Sequence, residues 1–150
     1  MINLWRVNIE GSNPKQLTSS GKDFSAAFSS DGKWVIYTSF AQSGKPTLWK
    51  VSIDGSEPVQ LTDKLTVQPV VSPDGKQIAC GYWDEQFTSP FSTAVMPFDG
   101  SAPIKVVNIP PGEVRWTSDS SALCYINNRG GVSNILMQPL AGGSPKGERP

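Results

Sequence analysis

A near-copy of one fifteen-residue phrase dominates the chain. LWRVNIEGSNPKQLT, from Leu4 to Thr18, returns 44 residues later as LWKVSIDGSEPVQLT, from Leu48 to Thr62. A second landmark keeps step with it. SSDGK at Ser29 to Lys33 returns as SPDGK at Ser72 to Lys76, 43 residues on, and again, degraded, as TSDSS at Thr117 to Ser121, a further 45 on. A fixed period in the forties, built from short alternating apolar runs and turn residues, is the pattern of propeller blades rather than of helical solenoids. The expected fold is therefore all-β. It is a partial β-propeller of about three and a half four-stranded antiparallel blades, below or near the ~4 to 8 blades that usually close a ring.

The turn signals divide each repeat into four strands. In the second blade these are Phe24 to Ser29, Trp34 to Phe40, Leu48 to Ile53 and Pro58 to Thr62. The tight turns between them carry Asp-Gly, because glycine accepts positive φ and the aspartate side chain caps the turn. Alternation sets Trp49, Val51 and Ile53 on one sheet face, with Trp5, Val7, Ile9 and Ala94, Met96, Phe98 as counterparts. These columns are expected to fill the layers between blades, which reads Trp5 and Trp49 as packing residues and not as a ligand cage. Blades are assigned to residues 4–18 (a half blade), 24–62, 66–109 and 113–140 (three strands), thirteen strands in all. The repeat domain is set at residues 1–146, with 147–150 as a tail outside the repeat. The ragged ends lead to the expectation of a fragment of a larger protein.

Composition narrows the function classes. The thirteen basic and thirteen acidic residues balance, so no charged field would draw nucleic acid. The chain has no histidine, which removes Ser-His-Asp and Cys-His catalysis and histidine-ligated zinc together. Two cysteines cannot complete a four-ligand metal site. Cys80 and Cys124 are expected as buried free thiols on opposite faces of neighbouring blades. Each Asp-Gly turn supplies one or two oxygens, too few for a calcium loop. The glycines in Asn127 to Gly131 do not open a helix, so they offer no phosphate cradle. No apolar run reaches the ~18 residues of a membrane span. The reading is thus of a non-enzyme without cofactor or metal, with no nucleic-acid partner and no direct membrane insertion.

VVSPDGKQIAC and LWKVSIDGSEPVQLT resemble the TolB-like (WD-like) bacterial propeller repeat, over residues 4 to 146. Two departures weaken turn chemistry without touching the fold: Ser30 replaces the turn proline, and Asp119-Ser120 replaces Asp-Gly. The repeat occurs in periplasmic TolB, in the gating propellers of prolyl-oligopeptidase-like and tricorn-type peptidases, and in the tails of bacterial serine/threonine kinases. The wording of this chain looks most like those kinase tails. The resemblance implies an interaction or sensing module in a multi-domain bacterial protein, and a cell-envelope or extracytoplasmic position. The alternatives are a peptidase gating propeller and a TolB-type protein-binding propeller.

Topology then says where a protein partner would bind. Connections after the second and fourth strands of a blade emerge on one face, and the SPDG and DGS turns on the other. Phe40 to Pro46, Asp84 to Ser92, Asn127 to Ser133, Ser19 to Asp23 and Asp63 to Thr66 are expected to share the first face. The loop from Asp84 to Ser92 is longer than its counterpart and carries two acids and two phenylalanines. The candidate contact residues are Asp84, Glu85, Phe87, Phe91 and Arg129. A final expectation concerns the ends: an arc leaves apolar columns uncovered, here Trp5, Val7 and Ile9 at one end and Leu136 and Leu140 at the other. Such faces favour self-association.

Overall fold

The computed structural model describes residues 1–41, 44–84, 92–112, 114–129 and 131–147, and of Arg129 the backbone only. In each of the three four-stranded blades the first and second strands are joined by the turn that SSDGK, SPDGK or TSDSS marks. In the third blade, Ser72 Oγ donates to Asp74 Oδ1 (2.6 Å), which also accepts from the Lys76 amide (3.1 Å). The Gln77 amide donates back to Ser72 Oγ (3.0 Å), and Gly75 takes φ +73°. The same bonds recur at Ser29, Asp31 and Trp34, and at Thr117, Asp119 and Ala122. Ser120 stands where the other blades have glycine and is held at φ +60°. Its hydroxyl accepts from the Asp74 amide (3.2 Å), so the strained residue also joins neighbouring blades.

Four antiparallel sheets follow. The first holds β1 (Trp5–Arg6) and β2 (Lys15–Gln16). The second runs in order β3 (Asp23–Phe28), β4 (Trp34–Ser39), β5 (Thr47–Ser52) and β6 (Val59–Gln60). The third is β7 (Leu65–Val71), β8 (Gln77–Trp83), β9 (Ser92–Pro97) and β10 (Lys105–Val107). The fourth is β11 (Arg115–Trp116), β12 (Ala122–Arg129), β13 (Val132–Pro139) and β14 (Lys146–Gly147). Two details depart from the sequence reading. The fourth blade has four strands, not three, because Lys146 and Gly147 pair with Met137 and Leu136. A two-residue ladder uses backbone groups alone and leaves no side-chain pattern to read. Asn127 and Asn128, assigned from sequence to the connection from Asn127 to Ser133, instead pair with Asn134 and Ser133 inside the ladder.

Three apolar layers join the blades. Leu4 and Leu17 of the first meet Val35, Tyr37, Trp49 and Val51 of the second. Ile36 and Leu48 on the far face of the second meet Ile78, Cys80, Ala94 and Met96 of the third. Ala79, Val95 and Val107 on the far face of the third meet Leu123, Trp116, Tyr125 and Leu140 of the fourth. Every layer thus sets one column of a blade, that of Trp49 in the second, Met96 in the third and Leu140 in the fourth, against the opposite face of the preceding blade. Polar contacts reinforce the stacking: Trp116 Nε1 donates to the Val70 carbonyl (2.9 Å), and Lys105 Nζ to the Leu140 carbonyl (2.6 Å).

The same register corrects the expected open end. Leu136 pairs with Tyr125, whose side chain faces the third blade, and Leu140 packs in that layer. The uncovered apolar residues are instead Ile126, Ile135 and Met137. At the other end Trp5, Val7 and Ile9 are exposed, as the alternation requires. The cysteines lie on opposite sheet faces, Cys80 buried in the second layer and Cys124 only half-buried beside the open face.

Candidate interaction face

Strand direction puts the irregular connections together. The Asp74–Gly75 turn opens β8 and Asp84 follows its last residue, so the two lie at opposite ends of one strand. Lys64, in the connection between β6 and β7, reaches Asp84 across that face: Lys64 Nζ lies 3.3 Å from Asp84 Oδ2. Tyr82 Oη donates to the same carboxylate oxygen (3.2 Å). The carboxylate is largely enclosed, with Asp84 14% and Lys64 50% exposed at their side chains. Burial, the hydrogen bond to Asp84 and the charges of Asp84 and Asp63 together raise the Tyr82 phenol above its ordinary range. It therefore stays protonated and able to donate at neutral pH.

These groups border a 320 Å³ hollow between the second and third blades. Met96 forms an apolar wall, Ala102 and Pro103 close the outer side, and Thr62, Asp63 and Lys64 supply the polar rim. A hydroxyl clamp holds the rim in place. The Leu48 amide donates to both Thr62 Oγ1 and Thr66 Oγ1 (3.0 Å each), and the two hydroxyls lie 2.6 Å apart. The first repeat keeps half of this device, since the Leu4 amide donates to Thr18 Oγ1 (3.0 Å). Asp23 takes the place of Thr66 there. Its Oδ1 accepts from Ser20 Oγ (2.6 Å), while Oδ2 is buried without a partner among the described residues.

Of the residues singled out from sequence, Asp84 is thus in a defined polar cluster. Arg129 ends β12, where its backbone pairs with Val132. Glu85, Phe87 and Phe91 lie outside the described residues. Sequence reasoning missed Lys64 and Tyr82. Lys64 falls within the connection assigned to this face, and an opposite charge in two connections predicted to adjoin was the available signal. Tyr82 reads only as a core position, because alternation describes the ring and not the hydroxyl. Among the described residues no three histidine, cysteine or acidic side chains gather as a metal site, and no helix is long and apolar enough to cross a membrane.

Stacked four-stranded antiparallel sheets with this connectivity define a β-propeller of TolB-like fold. The structure matches TolB from Acinetobacter baumannii with a TM-score of 0.77 at 23% identity, over 97% of this chain and 37% of that one. It matches a Mycobacterium tuberculosis puromycin-hydrolyzing peptidase with a TM-score of 0.69 at 18% identity, over 99% of this chain and 27% of that one. The nidogen/laminin complex gives a TM-score of 0.62 at 16% identity, over 89% of this chain and 51% of that one. The chain therefore spans well under two thirds of each. No protein-family model and no curated protein matches it by sequence.

Proposed function

We propose that the chain is a non-catalytic propeller module that binds a protein partner through the loop face around Asp84, Lys64 and Tyr82. The observation that carries this reading is the Lys64–Asp84 pair, with the Tyr82 hydroxyl, at the rim of an apolar-walled hollow. An apolar recess with a few oriented polar groups suits an extended peptide or a loop: the walls supply contact area and the polar groups select the backbone orientation. A cationic side chain would compete for Asp84, and an acidic one for Lys64.

The likeness to peptidase structures supports a second reading, in which the blades belong to a gating propeller beside a catalytic domain on the same chain. TolB-type binding in the cell envelope is a third, supported by the fold match. Attachment to a serine/threonine kinase rests on the wording of the repeats alone. The three differ in the sequence flanking these blades in the gene, where a signal peptide, a Gly-x-Ser-x-Gly elbow or a kinase catalytic loop would discriminate them.

Peptides selected from a random display library against the purified chain test the module reading. Their resonance shifts should map to Lys64, Tyr82 and Asp84, and Lys64→Glu should weaken binding at least tenfold. Binding that maps to the Asp31, Asp74 and Asp119 turns, or turnover of any substrate abolished by one substitution in this chain, overturns it.

A further inference from the structure

The hollow between the second and third blades has a counterpart one repeat earlier, and the pair of them separates what stacking needs from what this chain adds. Between the first and second blades a hollow of 340 Å³ is lined by Leu17, Thr18, Ser19 and the turn at residues 55–58. Thr18 corresponds to Thr62, and that turn to residues 100–103. The charges do not correspond. Ser19 and Ser20 stand where the later hollow has Asp63 and Lys64. Ser39 stands where it has Tyr82, since Ser39 pairs with Asp23 and Thr47 as Tyr82 pairs with Thr66 and Ser92. Ala41 then falls at the Asp84 position. Blades therefore stack with or without the Lys64–Asp84 pair, and stacking does not account for it.

An ion pair at the rim of a hollow is a matched donor and acceptor. Lys64 Nζ, 3.3 Å from Asp84 Oδ2, ends a half-exposed side chain, whereas Asp84 is largely enclosed and held by Tyr82 Oη at 3.2 Å. An ammonium carries three N–H donors and a carboxylate about four lone-pair sites, so both ends can bond a ligand without parting. A ligand carboxylate would meet Asp84 and Asp63, and like charges side by side oppose binding. A ligand ammonium would gain Asp84 only by displacing Lys64, an exchange of like for like. A primary carboxamide suits both ends: its oxygen accepts from Lys64, its NH₂ donates to Asp84, and no net charge enters. Met96 and Pro103 offer apolar surface to the methylenes behind it. The volume of 320 Å³ lies at the lower end of the roughly 300 to 1,000 Å³ of ligand pockets, which suits one side chain with its peptide unit.

We infer that this hollow selects a glutamine side chain of the bound peptide, its carboxamide bridging Lys64 and Asp84 and its methylenes lying on Met96 and Pro103. The inference rests on the loop-face reading above and names the residue that the face reads.

Four peptides, acetyl-Gly-X-Gly-amide with X glutamine, glutamate, lysine or norleucine, test it when titrated into the full chain and followed by the amide resonances of Lys64, Tyr82 and Asp84. The glutamine peptide should bind at least about tenfold more tightly than the other three. Lys64→Glu alters a half-exposed side chain and should keep the wild-type circular dichroism. With two carboxylates at the rim, that variant should bind the lysine peptide most tightly and the glutamine peptide at least about tenfold more weakly than wild type does. Lys64→Met keeps the stem without the donors and should bring glutamine and norleucine to within about threefold of each other. Wild-type binding of the glutamate, lysine or norleucine peptide equal to that of glutamine overturns the inference. So does an unchanged order in Lys64→Glu, or no shift with any of the four. Library-selected peptides that map to this face without a shared glutamine would remove the inference and leave the module reading standing, whereas peptides that map elsewhere would remove the reading itself.

Discussion

Trp5 and Trp49 hold the same place in successive repeats, but Trp49 packs against Leu4 and Leu17 while Trp5 is 60% exposed. Their contributions to monomer stability should differ accordingly. Trp49→Ala removes a half-buried indole from a closed layer and should cost about 2 kcal/mol or more. Trp5→Ala should change the stability of the monomer by less than about 0.5 kcal/mol. Urea unfolding at sub-micromolar concentration separates them, and equal losses would show that the Trp5 indole is covered in the monomer.

The three equivalent turns Glu10-Gly11-Ser12, Asp54-Gly55-Ser56 and Asp99-Gly100-Ser101 supply an internal control for backbone geometry. Gly11, Gly55 and Gly100 have φ of +82°, +76° and +82°. A side chain at Gly11 meets nothing within 4 Å, so Gly11→Ala pays only the left-handed conformation, about 1 kcal/mol. At Gly100 an added Cβ would collide with the Leu61 carbonyl oxygen and approach the Leu61 Cβ to 2.7 Å. Gly100→Ala should therefore exceed Gly11→Ala by at least about 1 kcal/mol, because the second and third blades must separate to admit it. Similar denaturation midpoints for the two variants would contradict that blade contact.

The turn aspartates make stability depend on acid. Hydrogen bonds from Thr117, from the Ser121 amide and from the Ser121 hydroxyl lower Asp119 to about 2. Asp31 and Asp74 are lowered by the same kind of bonds, led by those from Ser29 and Ser72. A folded pKa below the unfolded value of about 3.9 contributes stability that is complete above that value. It is lost as pH falls through the folded pKa. Thermal midpoints should fall between about pH 4 and pH 2, and Asp119→Asn should flatten that dependence while lowering the midpoint at pH 7. An unchanged acid profile in that variant would remove Asp119 from the cause.

The two thiols should react at different rates. Burial pushes the Cys80 thiol up to about 12, and its side chain is enclosed in the layer between the second and third blades. Cys124 is half-buried at the open face. In dilute native protein a thiol reagent at pH 8 should label one cysteine promptly, identified as Cys124 by peptide mapping. Cys80 should follow only on unfolding. Rapid labelling of both would mean that the second layer opens in the native state.

Much of this fold was legible because a repeat samples the same physics several times. The Ser-x-Asp-Gly spacing needs only local bonds, so SSDGK, SPDGK and TSDSS announce their turns without reference to anything distant. The 44-residue return of LWRV as LWKV places Trp49 in a layer, and alternation alone sets Trp5, Val7 and Ile9 on one face. Strand direction follows from counting turns, which is enough to send Asp84 and the Asp74 turn to opposite ends of β8. What the chain by itself could not determine were the relations between blades. Which side of the fourth sheet is covered depends on the face that the third presents, and this is why Leu140 is packed and Ile135 is not. The Lys64–Asp84 pair joins connections twenty residues apart whose separation is set by the stacking of two sheets, and the Tyr82 hydroxyl reaches it from a position that alternation marks only as core. Strand β14 likewise exists because β13 offers an edge, since two residues have no periodicity of their own. Local turn chemistry and side-chain alternation are properties of sequence, whereas the covering of a face and the meeting of two charges are properties of the packed arc.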